Sequence, residues 1–366
     1  MSAPDPRALR IALATSHEVA LPAACRLSAV LEHWAGERAG AESSGLAAAL
    51  GVPRPALAAA LALRAGASAT AARAEARAAR LGARLLTAGE EGFPADFAAL
   101  DLPPPALWIA GRVPERPAVA LVGARRASPY GLEMASWLAC GAAQAGVTVV
   151  SGFAVGVDAA AHRGALDAAD GRTVAVLGCG LDIDYPRGHR SLGELVRERG
   201  ALVTEFAPGR APRPWQFPVR NRLIAALARA VVVVEAAPRS GSLVTARLAL
   251  ELGRDLLAVP GRVTDELALG PNALLADGAT PALTPADLAA AVGLAVAGPG
   301  RPAPRPEPPG LAPEARALWR AAGDPAGADA LAAAAGMTVD RALAALLELE
   351  IAGHLRRLPD GRYVPT

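Results

Sequence analysis

Between Ala118 and Leu294 the chain repeats one pattern, and that pattern leaves few folds open. Short runs that are apolar throughout and rich in β-branched residues, AVALVG, VTVVSG, TVAVLG, ALVTEF, VVVVEA and DLLAVPG, alternate with amphipathic helical stretches. A strand that is apolar at every position must be covered on both faces, and helices lying between successive strands supply the cover. The pattern predicts an α/β fold with a parallel sheet between helical layers.

The flanks read differently. A chain of 366 residues is about twice the usual length of one domain, so further units are expected. Up to Leu86, Ala/Leu-rich helical patterns break at Pro22, at Gly51-Val52-Pro53 and at Gly66, which predicts a small all-α domain over residues 1–86. Residues 87–116 read as an ordered connector, because Pro103, Pro104 and Pro105 exclude helix and Leu107 to Ala110 is extended. The sheet domain is expected over residues 117–294, followed by a Pro-rich spacer over 295–310 that cannot bury enough apolar surface to fold. In residues 311–366, three helical segments, about Pro313 to Ala322, Ala328 to Ala334 and Val339 to Ala352, precede two short extended runs around Pro359-Asp360-Gly361. That is the order of a winged helix. The fold class is then α/β: an extended Rossmann-like parallel sheet domain with a small N-terminal all-α domain and a C-terminal winged-helix domain.

The net charge of +2 gives no overall basic character, so any cationic site must be local. No lysine occurs, and every fixed cation is an arginine. Cys25, Cys140 and Cys179 lie far apart without C-x-x-C spacing, which points to neither a disulfide framework nor a zinc site and fits a cytoplasmic protein. No run approaches the roughly 20 apolar residues of a membrane span, and the N-terminus has no basic segment followed by an apolar core.

In open parallel sheets ligands bind beyond the carboxyl ends of the strands, and the residues there share one character. After successive strands come Gly123-Ala124-Arg125-Arg126-Ala127-Ser128, then Ser151-Gly152 leading to Gly156-Val157-Asp158, then Gly178-Cys179-Gly180, and later Arg239-Ser240-Gly241-Ser242. Glycine lets backbone N–H groups turn outward beside a helix N-terminus, where the dipole favours anions. Any one such turn is equally a tight strand-to-helix connection. The arginines, with Arg220 and Arg222 flanking Asn221, shift the balance to anion binding, although pairing with Asp158, Glu205 or Glu235 would satisfy some of them. Neither G-x-G-x-x-G nor G-x-x-x-x-G-K-[ST] is present, so separated anion sites fit a polymer of phosphates better than one nucleotide cofactor, and no cofactor is expected. Tyr130, Phe153, Tyr185, Trp215 and Phe217 lie in or near these segments, and aromatic faces beside cationic grooves hold unpaired bases.

In order and spacing, VGARRASPYG, SGFAVGVDAAAH, VLGCGLDIDYP, FPVRNRLIAALA, VVVVEAAPRSGSLVTARLALELGRDLLAVPG and GPNALLADGA resemble the signatures of the DNA-processing protein A (DprA/Smf) family, over Phe93 to Ala279. The resemblance implies a non-catalytic protein that binds single-stranded DNA as a homodimer and loads the recombinase RecA during natural transformation. It assigns first-turn DNA contacts to Arg125 and Ser128, and an aromatic and basic motif to Phe217, Arg220 and Asn221, with the Arg239-Ser240-Gly241-Ser242 turn beside them. Pro214 stands where members of the family often carry Lys, and Arg213 is read as its substitute. Phe93 stands where Tyr is common.

Two rivals are weaker. A nucleoside-monophosphate phosphoribohydrolase on a related fold would carry P-G-G-x-G-T before a helix, whereas this chain has Pro238-Arg239-Ser240-Gly241-Ser242-Leu243-Val244-Thr245. A duplex-binding regulator would need a basic winged helix, yet Leu311 to Thr366 holds six arginines against seven carboxylates. Asp158 and His162 read as an N-cap and a residue on the same helical face, with a structural role. Asp182 and Asp184 lack a nucleophile or metal ligand beside them, and His17, His33, His189 and His354 are scattered and read as surface or turn residues.

Overall fold

The structure, a computed structural model, describes residues 5–31, 47–97, 100–294, 308, 310–322, 326–358 and 361–365. The chain divides into two compact units, Met1–Ala127 with Met134–Pro299, and Ser128–Glu133 with Gly300–Thr366.

All six apolar runs form strands of one sheet: β3 (Ala118–Val122), β4 (Thr148–Ser151), β5 (Arg172–Val176), β6 (Gly200–Thr204), β7 (Ala230–Val233) and β8 (Asp255–Ala258). They are parallel to one another, and the short β9 (Thr280–Pro281) continues the parallel edge. Two earlier strands, β1 (Ala83–Leu86) and β2 (Leu107–Gly111), extend the opposite edge antiparallel, which gives the order β1-β2-β6-β5-β4-β3-β7-β8-β9. Both flanking stretches donate a strand to the sheet: β1 ends the segment expected to be all-α, and β2 is the extended run Leu107 to Ala110 of the ordered connector. In ARLL only Leu85 and Leu86 are buried, so four residues with half an apolar pattern gave no strand signal.

Helices cover both faces, as strands buried throughout demand. Ala118, Ala120 and Val122 of β3 face α8 (Gln216–Leu227) and α9 (Gly241–Glu251). Val119 and Leu121 face α5 (Pro129–Gln144), α6 (Val157–Asp167) and α11 (Pro285–Ala291). Further along, α7 (Arg190–Arg199) packs Leu192 and Val196 on Ala175 and Leu177, and α10 (Leu269–Ala276) follows β8.

Among the described residues the N-terminal helices include α1 (Pro6–Thr15), α2 (Leu21–Leu31), α3 (Arg54–Leu63) and α4 (Ala67–Arg80), which precede the sheet. They share its core: Ile11 and Ala12 of α1 and Ala71, Ala74 and Ala78 of α4 pack with Leu85, Ala106 and the fully buried Trp108. Arg222 of α8 forms a bidentate ion pair with Glu205 at 2.5 and 2.6 Å, and it also donates to the Leu102 carbonyl at 3.1 Å and to Cys25 Sγ at 3.7 Å. This buried clasp joins α2, the loop before β2, the end of β6 and α8.

The C-terminal unit contains α12 (Pro313–Ala321), α13 (Ala328–Ala334), α14 (Val339–Ile351) and the antiparallel pair β10 (Leu355–Arg357) and β11 (Tyr363–Pro365), around a core that includes Leu318, Leu331, Leu346 and Leu349. This is the winged-helix order expected from the sequence. Pro359 and Asp360 lie outside the described residues, as do His33 and residues 295–307 of the Pro-rich spacer. Among the described residues no single helix is long and apolar enough to cross a membrane.

Candidate functional site

Chain order reverses at β3. The connection after β3 leads away through β4, β5 and β6, whereas β7 returns to the other side of β3, and the loops after β3 and β7 diverge to open a crevice. A cleft of about 740 Å³ lies there. Gly123, Arg125 and Arg126 line it from the loop after β3, and Arg239, Ser240, Gly241 and Ser242 from the loop after β7. Arg213, Phe217, Arg220 and Asn221 line it from the segment entering α8.

The residues brought together divide into those that face the opening and those that build it. Arg125, Arg126, Arg213 and Arg239 are exposed, and none has a carboxylate partner among the described residues. The Arg125 guanidinium lies 4.8 Å from the centroid of the half-buried Phe217 ring, which in turn lies 5.5 Å from the Tyr185 ring. A cation and two tilted aromatic faces form one stack along the wall. Gly178 seats this stack: a Cβ there would come within 2.8 Å of the Phe217 ring, so the third-turn glycine admits an aromatic rather than an anion. Gly178 and Tyr185 are both marked in the sequence, as a strand-end glycine and a nearby aromatic, but their meeting at Phe217 is not, because that ring is distant from both in the chain.

Arg220 has another role. It is 3% exposed, and its guanidinium donates to the Gly152 carbonyl at 2.6 Å and to the Val176 carbonyl. Burial pushes its pKa down to about 10. It ties the tips of β4 and β5 together beneath the cleft, which corrects its reading as a direct anion contact. Gly152 is buried against it: a Cβ there would meet Arg220 Nη2 and Asp158 Oδ2, each at 2.7 Å. Asn221 also braces the site, donating from Nδ2 to the Gly241 carbonyl at 3.2 Å and accepting from Arg220 Nε at 3.3 Å.

Gly156 acts through close approach. With φ at 83° it precedes α6, and a Cβ would fall 2.3 Å from the Ala124 carbonyl and 2.6 Å from that of Arg125. The Gly156 turn thus supports the Arg125 loop from below. Gly156, not Asp158, occupies the N-cap position of α6, because its left-handed backbone sets the helix start. Asp158 sits in the first turn, accepting from the Ala154 N–H at 3.1 Å, and burial raises its pKa against the lowering effect of Arg220. Ser128 caps the start of α5 by accepting from the Gly131 N–H at 3.1 Å. Ser240 caps α9, accepting from the Ser242 N–H at 3.3 Å, so the positive end of an 11-residue helix opens on the cleft.

Behind this wall, His162 is fully buried and its Nδ1 lies 2.7 Å from Thr173 Oγ1. Since that hydroxyl donates to the Val149 carbonyl at 2.8 Å, Nδ1 carries the proton. Burial drives the His162 pKa down to about 3. Phe153, with φ at 64°, lies between His162 and His189, its ring centroid 5.7 and 5.4 Å from theirs. His189 is thereby buried, which corrects its reading as a surface or turn residue.

Residues 84–293 match the family described as DNA recombination-mediator protein A, and residues 301–361 match the DprA winged helix domain. Protein Smf of Escherichia coli K12 is 36% identical over 285 residues, which cover 76% of each chain. The X-ray structure of DNA processing protein A from Streptococcus pneumoniae superposes with a TM-score of 0.62 at 30% identity, over 76% of this chain and 95% of that one. A structure of the Helicobacter pylori DNA processing protein A, described for its single-stranded DNA binding mode, gives 0.50 at 31% identity over 56% of this chain and 93% of that one.

Proposed function

The chain belongs to the DNA recombination-mediator protein A (DprA/Smf) family, and we propose that its cleft holds single-stranded DNA, with phosphates on the exposed arginines and an unpaired base on the Tyr185–Phe217–Arg125 stack. The observation that carries this reading is the gathering around an aromatic face of four guanidinium groups that have no carboxylate partner among the described residues, in a chain whose net charge is only +2. Cations cluster at a cost unless they meet anions, and aromatic faces stack on bases that are not already paired. The Helicobacter pylori relative's single-stranded DNA binding supports the same assignment.

The protein acts in the cytoplasm as a homodimer, delivers the bound strand to RecA during recombination of incoming DNA, and does no chemistry on the strand itself. The lining of the cleft supports the last point: Asp158 is its one carboxylate among the described residues, and that group is held by the Ala154 N–H. Incubation with AMP or CMP should release no free base. Sustained release that an Arg239→Ala variant lacks would turn the assignment to a phosphoribohydrolase.

Fluorescence anisotropy with labelled single-stranded and duplex oligonucleotides across a salt series tests the main reading. Strong preference for the single strand is expected. Arg125→Ala should lower the log–log salt slope by about 0.7, one phosphate contact, and weaken binding whatever the base sequence. Its melting temperature should match that of the parent. An unchanged affinity and slope would sink the assignment.

A further inference from the structure

The cationic lining does not stop at the main cleft. Arg213 also borders a second groove, of about 390 Å³, whose other side is the turn between α1 and α2 at Ser16, His17 and Glu18. His17 in turn borders a third groove, of about 420 Å³, lined by Arg73, Arg77 and Arg80 of α4. Three grooves joined by shared residues make one path from the sheet edge onto the N-terminal helices.

We propose that this path is a continuation of the single-strand site, in which Trp215 stacks a second unpaired base and α4 takes the phosphates that follow; the inference rests on the reading of the main cleft given above. Trp215 is 43% exposed and lines the second groove, anchored by a T-shaped contact with the buried Phe206 at 6.0 Å. Large indoles are highly buried on average, and an exposed one beside arginines is the platform that single-strand binders use. Arg210 is pinned to the Ser16 carbonyl at 2.9 Å, and burial and the nearby Arg213 both push its pKa down. An anion between these two guanidiniums would relieve their repulsion. On α4 the spacing 73, 77, 80 sets three guanidiniums along one side of the helix. The single carboxylate of α4, Glu75, is taken up by Arg7, and Arg77 reaches Asp182 at 2.8 Å, so Arg73 and Arg80 stand without a carboxylate partner among the described residues.

The full-length protein separates the two sites by ligand length. A single-stranded oligonucleotide of about 6 nucleotides fits within the main cleft, whereas one of about 30 can run the whole path. The double variant Arg73→Gln with Arg80→Gln should leave the short ligand's affinity and slope unchanged and lower the long ligand's log–log salt slope by about 1.4, two phosphate contacts. Trp215→Ala should weaken the long ligand by about tenfold, and Trp215→Phe should recover most of that loss. Thermal melting confirms that each variant is folded. If the long ligand binds the variants as it binds the parent, or if both ligands lose equally, the path is wrong. Arg125→Ala decides the main cleft separately, since it should weaken both lengths.

Discussion

Arg125 and Arg220 line the same cleft and do opposite work. One waits for an anion in solvent, and the other is consumed in holding two strand tips. Arg220→Ala should therefore lower both DNA affinity and melting temperature, because two buried carbonyls lose their donor at about 1–3 kcal/mol each. Arg125→Ala should lower affinity alone. Arg222→Met should strand the buried Glu205 carboxylate and destabilise the protein by about 3–5 kcal/mol, read by denaturant unfolding. The His162 ring sets a pH response. Its folded pKa is about 3, below the unfolded value of 6.5, so the unfolded chain binds the extra proton and stability is full above 6.5. As the pH falls from there toward 3, stability should drop by up to about 1.4 kcal/mol per pH unit. His162→Gln should flatten that dependence; a variant that loses stability as steeply as the parent below pH 6.5 would remove His162 as its source. That arginines gather at the strand tips is legible in the sequence. Which of them is buried is not, because burial depends on the face that α8 turns to the sheet.

At the scale of elements, the six parallel strands were legible because each is apolar throughout, and the first-turn loop because glycine and arginine sit at its tip. The support of that loop was hidden. Gly156 is 33 residues beyond Gly123, and its need for a missing Cβ comes from the backbone of another turn. Gly156→Ala should thus act at a distance, displacing the Arg125 loop and lowering single-strand affinity at least as much as Arg125→Ala, together with a fall in melting temperature that the arginine variant does not show. Equal melting temperatures for Gly156→Ala and the parent would mean that the turn can relax without cost. The antiparallel edge was the larger miss. β1 is four residues long with only Leu85 and Leu86 buried, too short a pattern to mark a strand, whereas the extended run Leu107 to Ala110 was legible and only its pairing with β6 was not, because Gly111 and its partner Ala201 lie 90 residues apart.

For the whole molecule, the C-terminal unit and the cleft make separate demands. The exposed side of α14 bears Val339, Leu343, Leu347 and Ile351, with Asp340, Glu348 and Glu350 on the same helix, a surface that phosphates oppose. Truncation after Pro299 should leave single-strand affinity within tenfold of the parent; a larger loss, measured by anisotropy, would assign this unit to the DNA path. The N-terminal helices are bound differently, through Trp108, Leu85 and the clasp from Arg222 to Cys25. That shared core fixes where the chain can be recombined with a relative. A chimaera joined at residue 86 would set foreign helices against Trp108 and part Cys25 from Arg222, whereas one joined in the Pro-rich spacer exchanges the winged helix and leaves the sheet and its helices as they fold together.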